Sequence, residues 1–396
     1  MFKKNIFLFL YFVFSPTLFS APSVETQTFL DRHWQRPLAS QGFVIEKNPV
    51  LTHSLLPEKC GRCHVQQFKD WSGSLHSKAM SPGLIGQLME MAATDRESQQ
   101  ACLRCHAPLK EQAESLVASL RTGKNKGLHT QGLICAGCHL REGRWFGPPR
   151  KDGSIPTPDE KKQLPHSGWN SQAAFEDSAF CAACHQFDQE TGFAINGKLL
   201  ENTYQEWLAS PFAEQQKSCQ SCHMPNRRHL WKGIHDAEMT RNGITIEIRQ
   251  PNLRGDNISA QFYLKNSGTG HNFPTYITPK IYLQGVQLDA KGSEIAATFL
   301  QYPIGWKLEL DLSGEQYDTR LAPDEELKID YAQARDPNAV SLLLKVVVEP
   351  DAFYSRFYRS LLENGYAKKG KQQIEQALRE SEASVYILFE RRLALP

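Results

Sequence analysis

The sequence contains no cysteine outside one repeated motif, and residues 223–396 contain none at all. Its 45 basic and 43 acidic residues leave a formal charge of only +2, without the basic patch that indicates nucleic-acid binding. The apolar run at 6–14 is shorter than the roughly 20 residues that a membrane-spanning helix needs. No phosphate-binding loop, dinucleotide-binding glycine motif or serine nucleophile motif is present, so the sequence does not support the enzymes that depend on them.

All ten cysteines belong to five copies of Cys-x-x-Cys-His. The copies are Cys60, Cys63 and His64 (motif 1), Cys102, Cys105 and His106 (motif 2), Cys135, Cys138 and His139 (motif 3), Cys181, Cys184 and His185 (motif 4), and Cys219, Cys222 and His223 (motif 5). Two thiols one turn apart can add to the two vinyl groups of one haem, and the adjacent histidine then reaches the iron. Disulfide frameworks and zinc sites also pair cysteines, but neither requires a histidine after every second cysteine. The motifs therefore predict five covalently attached c-type haems, each with a motif histidine as iron ligand.

The first 20 residues predict export through a cleavable signal peptide. Lys3 and Lys4 precede the apolar run at 6–14, and the small residues Ser20 and Ala21 follow it. An uncleaved membrane anchor is the alternative, but the run is too short to span a bilayer. We expect cleavage after Ser20 and a location in the periplasm, where c-type haem is attached, with an extracellular location as the alternative.

The character of the chain changes near residue 239. We predict a signal peptide at 1–20, a pentahaem cytochrome domain at 21–238 and a β-sandwich-like domain at 239–396. Five haems between residues 60 and 223 are too dense for an ordinary side-chain core, so the porphyrins themselves must form much of it. Apolar residues at helical spacing predict helices at 64–80 and 107–121, whereas the proline- and glycine-rich stretch 147–165 is predicted to be irregular.

Alternating apolar and polar residues predict strands in the C-terminal part of the chain. The predicted strands are 244–248, 260–264, 281–288, 308–310, 327–331, 342–348 and 385–389. Helices around 353–362 and 372–380 interrupt the strands before the last one. The predicted fold class is α+β: a mainly α-helical or irregular multihaem domain, then a β-sandwich-like domain with a helical insertion. A purely structural cap remains one interpretation of this second domain.

Eight histidines lie outside the motifs, and five irons can accept at most five further ligands. As second axial ligands we predict His76, His129, His229, His235 and His271. His76 follows motif 1 on the predicted helix at 64–80, too near to reach the far side of that haem, so it must serve another. His271 lies in a Gly-His-Asn-Phe-Pro-Thr segment between two predicted strands, where iron ligation would tie the two domains together. The weaker candidates are His33, His53, His166, Met80, Met89, Met91, Met224 and Met239.

Several longer segments resemble a known family. They are Trp-Ser-Gly-Ser-Leu-His at 71–76, Gln-Gly-Leu-Ile-Cys-Ala-Gly-Cys-His at 131–139, Tyr-Gln-Glu-Trp-Leu-Ala-Ser-Pro at 204–211 and Cys-Gln-Ser-Cys-His-Met-Pro at 219–225. Over most of residues 55–280 the chain resembles the multihaem cytochromes related to hydroxylamine oxidoreductase and its tetrahaem electron acceptor. Residues 228–236 and 270–275 are similar to members with a C-terminal β-domain. The resemblance implies mainly His/His-ligated haems in stacked pairs, and it supports His76 and His129 as ligands.

The chain departs from this family in ways that bear on catalysis. It lacks the Cys-x-x-Cys-Lys motif of the catalytic haem in related nitrite reductases, and it has five motifs rather than the eight of hydroxylamine oxidoreductase. We therefore expect an electron-transfer protein without catalytic residues, which docks redox partner proteins such as a membrane-bound quinone-linked complex or a terminal reductase or oxidase. After signal cleavage it would be neither an integral membrane protein nor a nucleic-acid binder.

Two other functions remain open from the residues alone. The first is a haem oxidoreductase with one five-coordinate haem that binds a small nitrogen or sulfur species, with Arg227 and Arg228 as candidates to orient an anion. The second is a scaffold module in which the β-domain holds the haem domain against a membrane complex or a neighbouring subunit. An open iron site distinguishes the first from electron transfer.

Overall fold

The computed structural model describes residues 21–36, 38, 41, 54–92, 94–122, 126–164, 168–188, 193–254 and 256–395. The predicted signal peptide and two weaker ligand candidates, His53 and His166, lie outside these residues. Within the described ranges, no helix is both long and apolar enough to cross a membrane.

Helices dominate the described chain up to residue 243, and strands dominate after it. The α-helices are α1 (Val24–His33), α2 (Pro57–Cys60), α3 (Val65–Gly73), α4 (Pro82–Glu90), α5 (Arg96–His106), α6 (Lys110–Thr122), α7 (Cys135–His139), α8 (Pro158–Gln163), α9 (Ala179–His185), α10 (Thr203–Leu208), α11 (Pro211–Glu214), α12 (Cys219–His223), α13 (Ala237–Gly243), α14 (Ala352–Glu363) and α15 (Lys371–Ala383). Short 3₁₀ turns occupy Leu128–Gln131, Ala173–Glu176, Pro225–Arg227 and Ala296–Thr298. The strands are β1 (Leu140–Arg141), β2 (Arg144–Gly147), β3 (Asn170–Ser171), β4 (Ala194–Ile195), β5 (Lys198–Leu199), β6 (Ile244–Arg254), β7 (Asn257–Asn266), β8 (Lys280–Leu288), β9 (Leu300–Ile304), β10 (Trp306–Leu308), β11 (Glu315–Asp318), β12 (Glu326–Ala334), β13 (Ser341–Glu349) and β14 (Tyr386–Ala394).

The helical part has two small apolar clusters rather than one continuous core. One gathers around Trp71, Leu109 and Leu140, and the other around Leu88 and Leu116. Many of the helices are only one or two turns long, and such short helices depend on tertiary packing for their stability. Both clusters include motif residues: Ala136 of motif 3 belongs to the first, and Cys102 of motif 2 packs against the second.

The structure corrects two sequence predictions in this part. The helix predicted at 64–80 ends at Gly73, because the Ser74 hydroxyl and backbone N–H both donate to the Trp71 carbonyl and turn the chain outward. His76 therefore lies in a turn and not on the helix. The stretch predicted to be irregular contains α8, whose start is fixed by a capping box between Thr157 and Glu160.

Two antiparallel sheets face each other in the C-terminal part. One has the order β12-β7-β6 and the other the order β14-β13-β8-β9. Their inner faces share one apolar core, to which Phe262, Leu264, Leu344 and Val346 contribute buried side chains. The sandwich arises because inward-facing residues alternate with outward-facing ones along these strands. In β7, for example, buried side chains alternate with more exposed ones. Sequence reasoning missed β9 and β11, which are short and lack strong alternation.

Helices α14 and α15 form the insertion between β13 and β14, and they pack on the helical part of the molecule. The Tyr358 hydroxyl lies against Gly83 of α4, and Gly370 lies against the backbone of Gly86. A Cβ at either glycine would overlap these neighbours, so the close crossing of α15 and α4 requires glycine. The predicted α+β class with a helical insertion is confirmed, and the predicted boundary near 239 falls within α13, where it stays a prediction.

Candidate haem-binding site

All five motifs line one cavity of about 2970 Å³. Its wall includes the ten motif cysteines and the five motif histidines, together with His76, His229, His235 and His271. This volume is about three times the upper end of the range for a drug-sized ligand site, roughly 1,000 Å³. The cavity is therefore suited to several large cofactors and not to one small ligand.

Each motif is built on a single helical turn, which explains its spacing. Motifs 2 to 5 lie in or form the ends of α5, α7, α9 and α12, whereas motif 1 continues from α2 through a hydrogen bond from the His64 N–H to the Cys60 carbonyl. Residues at i, i+3 and i+4 of a helix share a face. Both thiols and the histidine therefore lie on the same side of each turn, as thioether attachment and iron ligation require.

Three motif histidines are oriented by backbone carbonyls that accept from Nδ1–H. His106 donates to Ala79 over 2.7 Å, His139 to Phe146 over 2.9 Å and His223 to Lys232 over 2.7 Å. This hydrogen bond fixes the tautomer in which Nε2 carries a lone pair for a metal. Burial lowers the pKa of His139 to about 4 and that of His223 to about 4, so both rings are neutral ligands near pH 7.

The other two motif histidines differ. The Nδ1 of His185 lies 3.9 Å from the Glu201 carboxylate, and His64 is an exposed residue at the N-terminus of α3. Burial raises the pKa of Glu201, while the neighbouring His185 opposes that shift. Motif 4 thus differs from motifs 2, 3 and 5, because a carboxylate and not a carbonyl lies beside the Nδ1 of its histidine.

Three predicted distal histidines face motif histidines across the cavity. The ring centroids are 6.3 Å apart for His76 and His185, 6.2 Å for His139 and His229, and 6.4 Å for His223 and His271. Two metal–imidazole bonds of about 2 Å, with about 1.1 Å from each nitrogen to its ring centre, give about 6.2 Å. Each pair therefore has the spacing that holds one iron between two imidazoles, and the donor set fits c-type haem.

The other two predicted distal ligands have different surroundings. His129 is fully buried behind α6, where its Nδ1 lies 2.9 Å from the Ser115 hydroxyl, and it is not among the residues that line the cavity. His235 lines the cavity, but its Nε2 lies 2.9 Å from Asp351. The weaker candidate His33 is also buried, and its Nε2 donates to the Cys138 carbonyl over 2.8 Å. One nitrogen of each of these three rings thus lies within hydrogen-bond distance of a protein oxygen, whereas the buried Nδ1 of His33 has no hydrogen-bond partner among the described residues. This arrangement could not be read from the spacing of the histidines in the sequence.

Asp70, which is not among the residues predicted for the site, holds His229 in place. Its carboxylate accepts two hydrogen bonds of 2.6 Å from Arg228 and one of 3.1 Å from the His229 backbone N–H. The Asp70 side chain is 3% exposed, and the hydrogen-bonded Arg228 guanidinium lowers its pKa to about 2. Arg228 is therefore bound to Asp70 and is not a free cation for an anionic substrate.

Glu206 plays the corresponding part for His271. It projects from α10 and accepts from the Asn272 N–H, the Asn272 side-chain amide and the Thr275 hydroxyl at 3.1, 2.9 and 2.6 Å. Arg320, from the chain after β11, lies 3.5 Å away and supplies a positive charge. Glu206 lies in the segment 204–211 that carries the family resemblance. Its contacts with Asn272 and Thr275, however, are seen only in the folded structure.

Contacts between thiols give the spatial order of the motifs. Side-chain contacts join Cys60 to Cys135, Cys105 to Cys184 and Cys181 to Cys219. The Cys138 and Cys184 thiols also lie close enough to interact electrostatically. Motifs 1, 3, 4 and 5 thus follow one another in space, and motif 2 lies beside motif 4.

Comparison with known proteins agrees with this chemistry. A family model described as "Cytochrome c554 and c-prime" matches residues 59–140, which include motifs 1 to 3. No curated protein matches the chain. The five motifs, the cavity and the family match over residues 59–140 all fit one class, the multihaem c-type cytochromes.

One solved structure shares the fold of most of the chain. It is the penta-heme cytochrome c552 from Thermochromatium tepidum, which is 18% identical, with a TM-score of 0.62 over 85% of this chain and 98% of that one. A second solved structure, a structural-genomics target, is 11% identical over 39% of this chain and 88% of that one, and its TM-score of 0.19 is too low to indicate a shared fold. A closer relation to hydroxylamine oxidoreductase stays a prediction.

The Asp70 carboxylate yields a prediction on stability. Because its folded-state pKa lies below its ordinary value, it stabilises the protein at pH 7, and this contribution is lost as the pH falls from about 4 to about 2. We expect Asp70→Asn to lower the free energy of unfolding at pH 7 by about 1–2 kcal/mol, with a difference from wild type that shrinks toward pH 2. Denaturant unfolding at several pH values measures this.

The exposed Asp159, which is paired with Lys162, provides the matched control. Asp159→Asn should change stability by less than about 0.5 kcal/mol at every pH. An equal loss in both variants, or a loss in Asp70→Asn that does not depend on pH, would contradict the role assigned to Asp70.

Proposed function

We propose that this protein is an exported pentahaem c-type cytochrome that passes electrons between redox partners through mostly His/His-ligated haems. The observation that carries the proposal is the set of three histidine pairs, each separated by 6.2 to 6.4 Å within one cavity. An iron with two imidazole ligands has no open position for substrate and changes little in geometry on reduction. Such sites suit electron transfer.

The order of the motifs supports a path through the protein. Cys63 of motif 1 and Cys222 of motif 5 are exposed, whereas the other eight motif cysteines are partly buried. Motifs 1 and 5 are also the two ends of the series 1, 3, 4, 5. Electrons would enter near one of these motifs and leave near the other, with redox partners docked at each end.

The proposal also includes covalent attachment of the haems and export of the protein. Haem bound covalently at each motif supplies the Fe(III)/Fe(II) couple, while the chain supplies the thiols, the imidazoles and the low-dielectric surroundings. The signal-like residues 1–20 and the use of every cysteine for haem support a periplasmic location. Suitable partners are a membrane-bound quinone-linked complex on one side and a terminal reductase or oxidase on the other.

The first test counts haems. The mature protein should have the mass of a chain from Ala21 plus five haems, and denaturing alkylation should find no free thiol, because all ten sulfurs are thioether-linked. Intact-mass spectrometry measures both. Replacement of both Cys219 and Cys222 by serine should give a mass with four haems. A wild-type mass with four haems, or one reactive thiol per chain, would contradict the count.

The second test concerns ligation. His271→Ala should convert one low-spin haem to high spin and leave the others unchanged, because it removes the imidazole opposite His223. His235→Ala is the matched control: its Nε2 is engaged by Asp351, so the spectrum should stay unchanged. Electron paramagnetic resonance of the oxidised protein distinguishes the two. The ligand assignment is wrong if only His235→Ala produces the high-spin haem.

A second candidate function has support beside motif 2. Within the described residues, no second histidine ring lies opposite His106 at the spacing found for the three pairs. Tyr354 of α14 is close enough to Cys102, Asp351 and Glu201 to be influenced by their charges. Hydroxyl and carboxyl groups near an open iron could donate protons to a bound substrate. We infer that motif 2 is the site of any oxidoreductase activity on a small nitrogen or sulfur species.

This candidate predicts one stoichiometric high-spin haem in the wild-type protein, with a signal that shifts on addition of nitrite, hydroxylamine or sulfite. Tyr354→Phe should then lower turnover by about 10²-fold or more while retaining the spectral shift, because it removes a proton donor and not the iron. Tyr366→Phe, at a residue 67% exposed, is the control and should keep full turnover. A spectrum that is low-spin throughout and unchanged by these ligands rules out the enzyme.

A further inference from the structure

One short segment contacts the candidate iron ligands of three motifs. Between Arg227 and Lys232, His229 faces His139 of motif 3, and the Lys232 carbonyl accepts from His223 of motif 5. The ring of Trp231 in this segment contacts His76, which faces motif 4. No other element described above touches the ligands of motifs 3, 4 and 5 together.

Trp231 lies between the two distal histidines of motifs 3 and 4. Its ring centroid is 4.6 Å from that of His76 and 5.0 Å from that of His229. Both contacts are edge to face, with interplanar angles of 65° and 84°. An edge-to-face contact favours one relative orientation of the rings, so the indole limits rotation of both imidazoles.

The backbone fixes the position of this indole. Trp231 has φ of +42°, in the left-handed region that residues other than glycine rarely adopt, and Asn226 and Arg227 also have positive φ. The backbone N–H of Trp231 donates to the His223 carbonyl over 2.9 Å, and the ring Nδ1–H of His223 in turn donates to the Lys232 carbonyl. A conformation of this kind persists where its surroundings determine it, and here those surroundings are the motif 5 helix.

The two distal imidazoles depend on Trp231 to different degrees. The Nδ1 of His229 lies 3.1 Å from the Arg227 carbonyl, which fixes the rotation of that ring by a hydrogen bond. Within the described residues, the buried Nδ1 of His76 has no hydrogen-bond partner. Packing against Trp231 is therefore the main described restraint on the ring plane of His76. For His229 this packing only adds to the hydrogen bond with Arg227.

We propose that Trp231 is a shared positioning residue that sets the ring planes of His76 and His229 and thereby ties together the redox properties of the haems at motifs 4 and 3. The inference rests on the proposed function, because it takes both histidines as iron ligands. Outer-shell contacts that orient an imidazole alter its interaction with the metal, and with it the reduction potential. Trp231 itself touches neither substrate nor iron.

The test uses the full-length holoprotein with Trp231→Leu and Trp231→Phe. Trp231→Leu should shift the largest g value and the midpoint potential of the motif 4 haem most, those of the motif 3 haem less, and those of the motif 5 haem not at all. Trp231→Phe keeps an aromatic edge and should restore most of the wild-type values. The variants His76→Ala and His229→Ala assign the signals, since each should make one haem high-spin.

The matched control is Trp207→Phe. The Trp207 indole stacks on Tyr204 and donates to the Lys217 carbonyl, and none of its described ring contacts is with a candidate iron ligand. This variant also removes one indole from the helical part, and it should leave the signals of motifs 3 and 4 unchanged.

Two results would overturn the inference: Trp231→Leu with five haems and unchanged signals, or equal shifts at motifs 3, 4 and 5, which would indicate general loosening. If Trp231→Leu fails to load haem, Trp231→Phe against Trp207→Phe decides, because a shift in neither or an equal shift in both overturns the inference. Low-spin spectra in both His76→Ala and His229→Ala would instead refute the ligand assignment of the proposed function. High-spin haems in those variants with no effect of Trp231 would refute this inference alone.

Discussion

The separation of paired imidazoles is the constraint on which most of this structure depends. For one iron to bind two histidines, their ring centres must lie about 6.2 Å apart, and three pairs here lie within a few tenths of an ångström of that value. One member of each pair comes from a Cys-x-x-Cys-His turn, so its position is set locally. The other member comes from a distant part of the chain. The fold must bring His76, His229 and His271 to places that their own local sequence does not determine.

Buried carboxylates place two of these distal histidines. Asp70 on α3 accepts from Arg228 and from the His229 backbone, so a helix that follows motif 1 positions a candidate iron ligand opposite His139 of motif 3. Glu206 on α10 accepts from Asn272 and Thr275 and thereby holds the loop of His271. In both cases several donors face a carboxylate removed from water; at Asp70 they outweigh burial and lower the pKa, whereas at Glu206 burial is the larger effect and the pKa is raised.

The second part of the molecule is joined to the haem cavity in two ways. His271 brings the loop between β7 and β8 to motif 5, and helix α14 brings Tyr354 to motif 2. Close packing of α15 on α4, through Gly370 and Gly86, fixes the insertion against the helical part. Residues of this part of the chain therefore contribute to the wall of the cavity.

The sequence alone predicted the haem attachment points, the motif histidines, the α+β class and the positions of all six long strands, because each depends on residues close together in the chain. The capping box of α8 is also a local signal, since Thr157 and Glu160 are three residues apart, and it could have predicted this helix. Only the tertiary structure decided which of the other histidines face a motif. From the sequence alone, His235 and His129 are candidates of the same kind as His76 and His229. In the structure, however, the Nε2 of His235 lies within hydrogen-bond distance of Asp351, and the Nδ1 of His129 within that distance of Ser115. The reason is physical: a pair is defined by the distance between two rings from remote segments, and contacts such as those of Asp70 and Glu206 hold such segments together only in the folded chain.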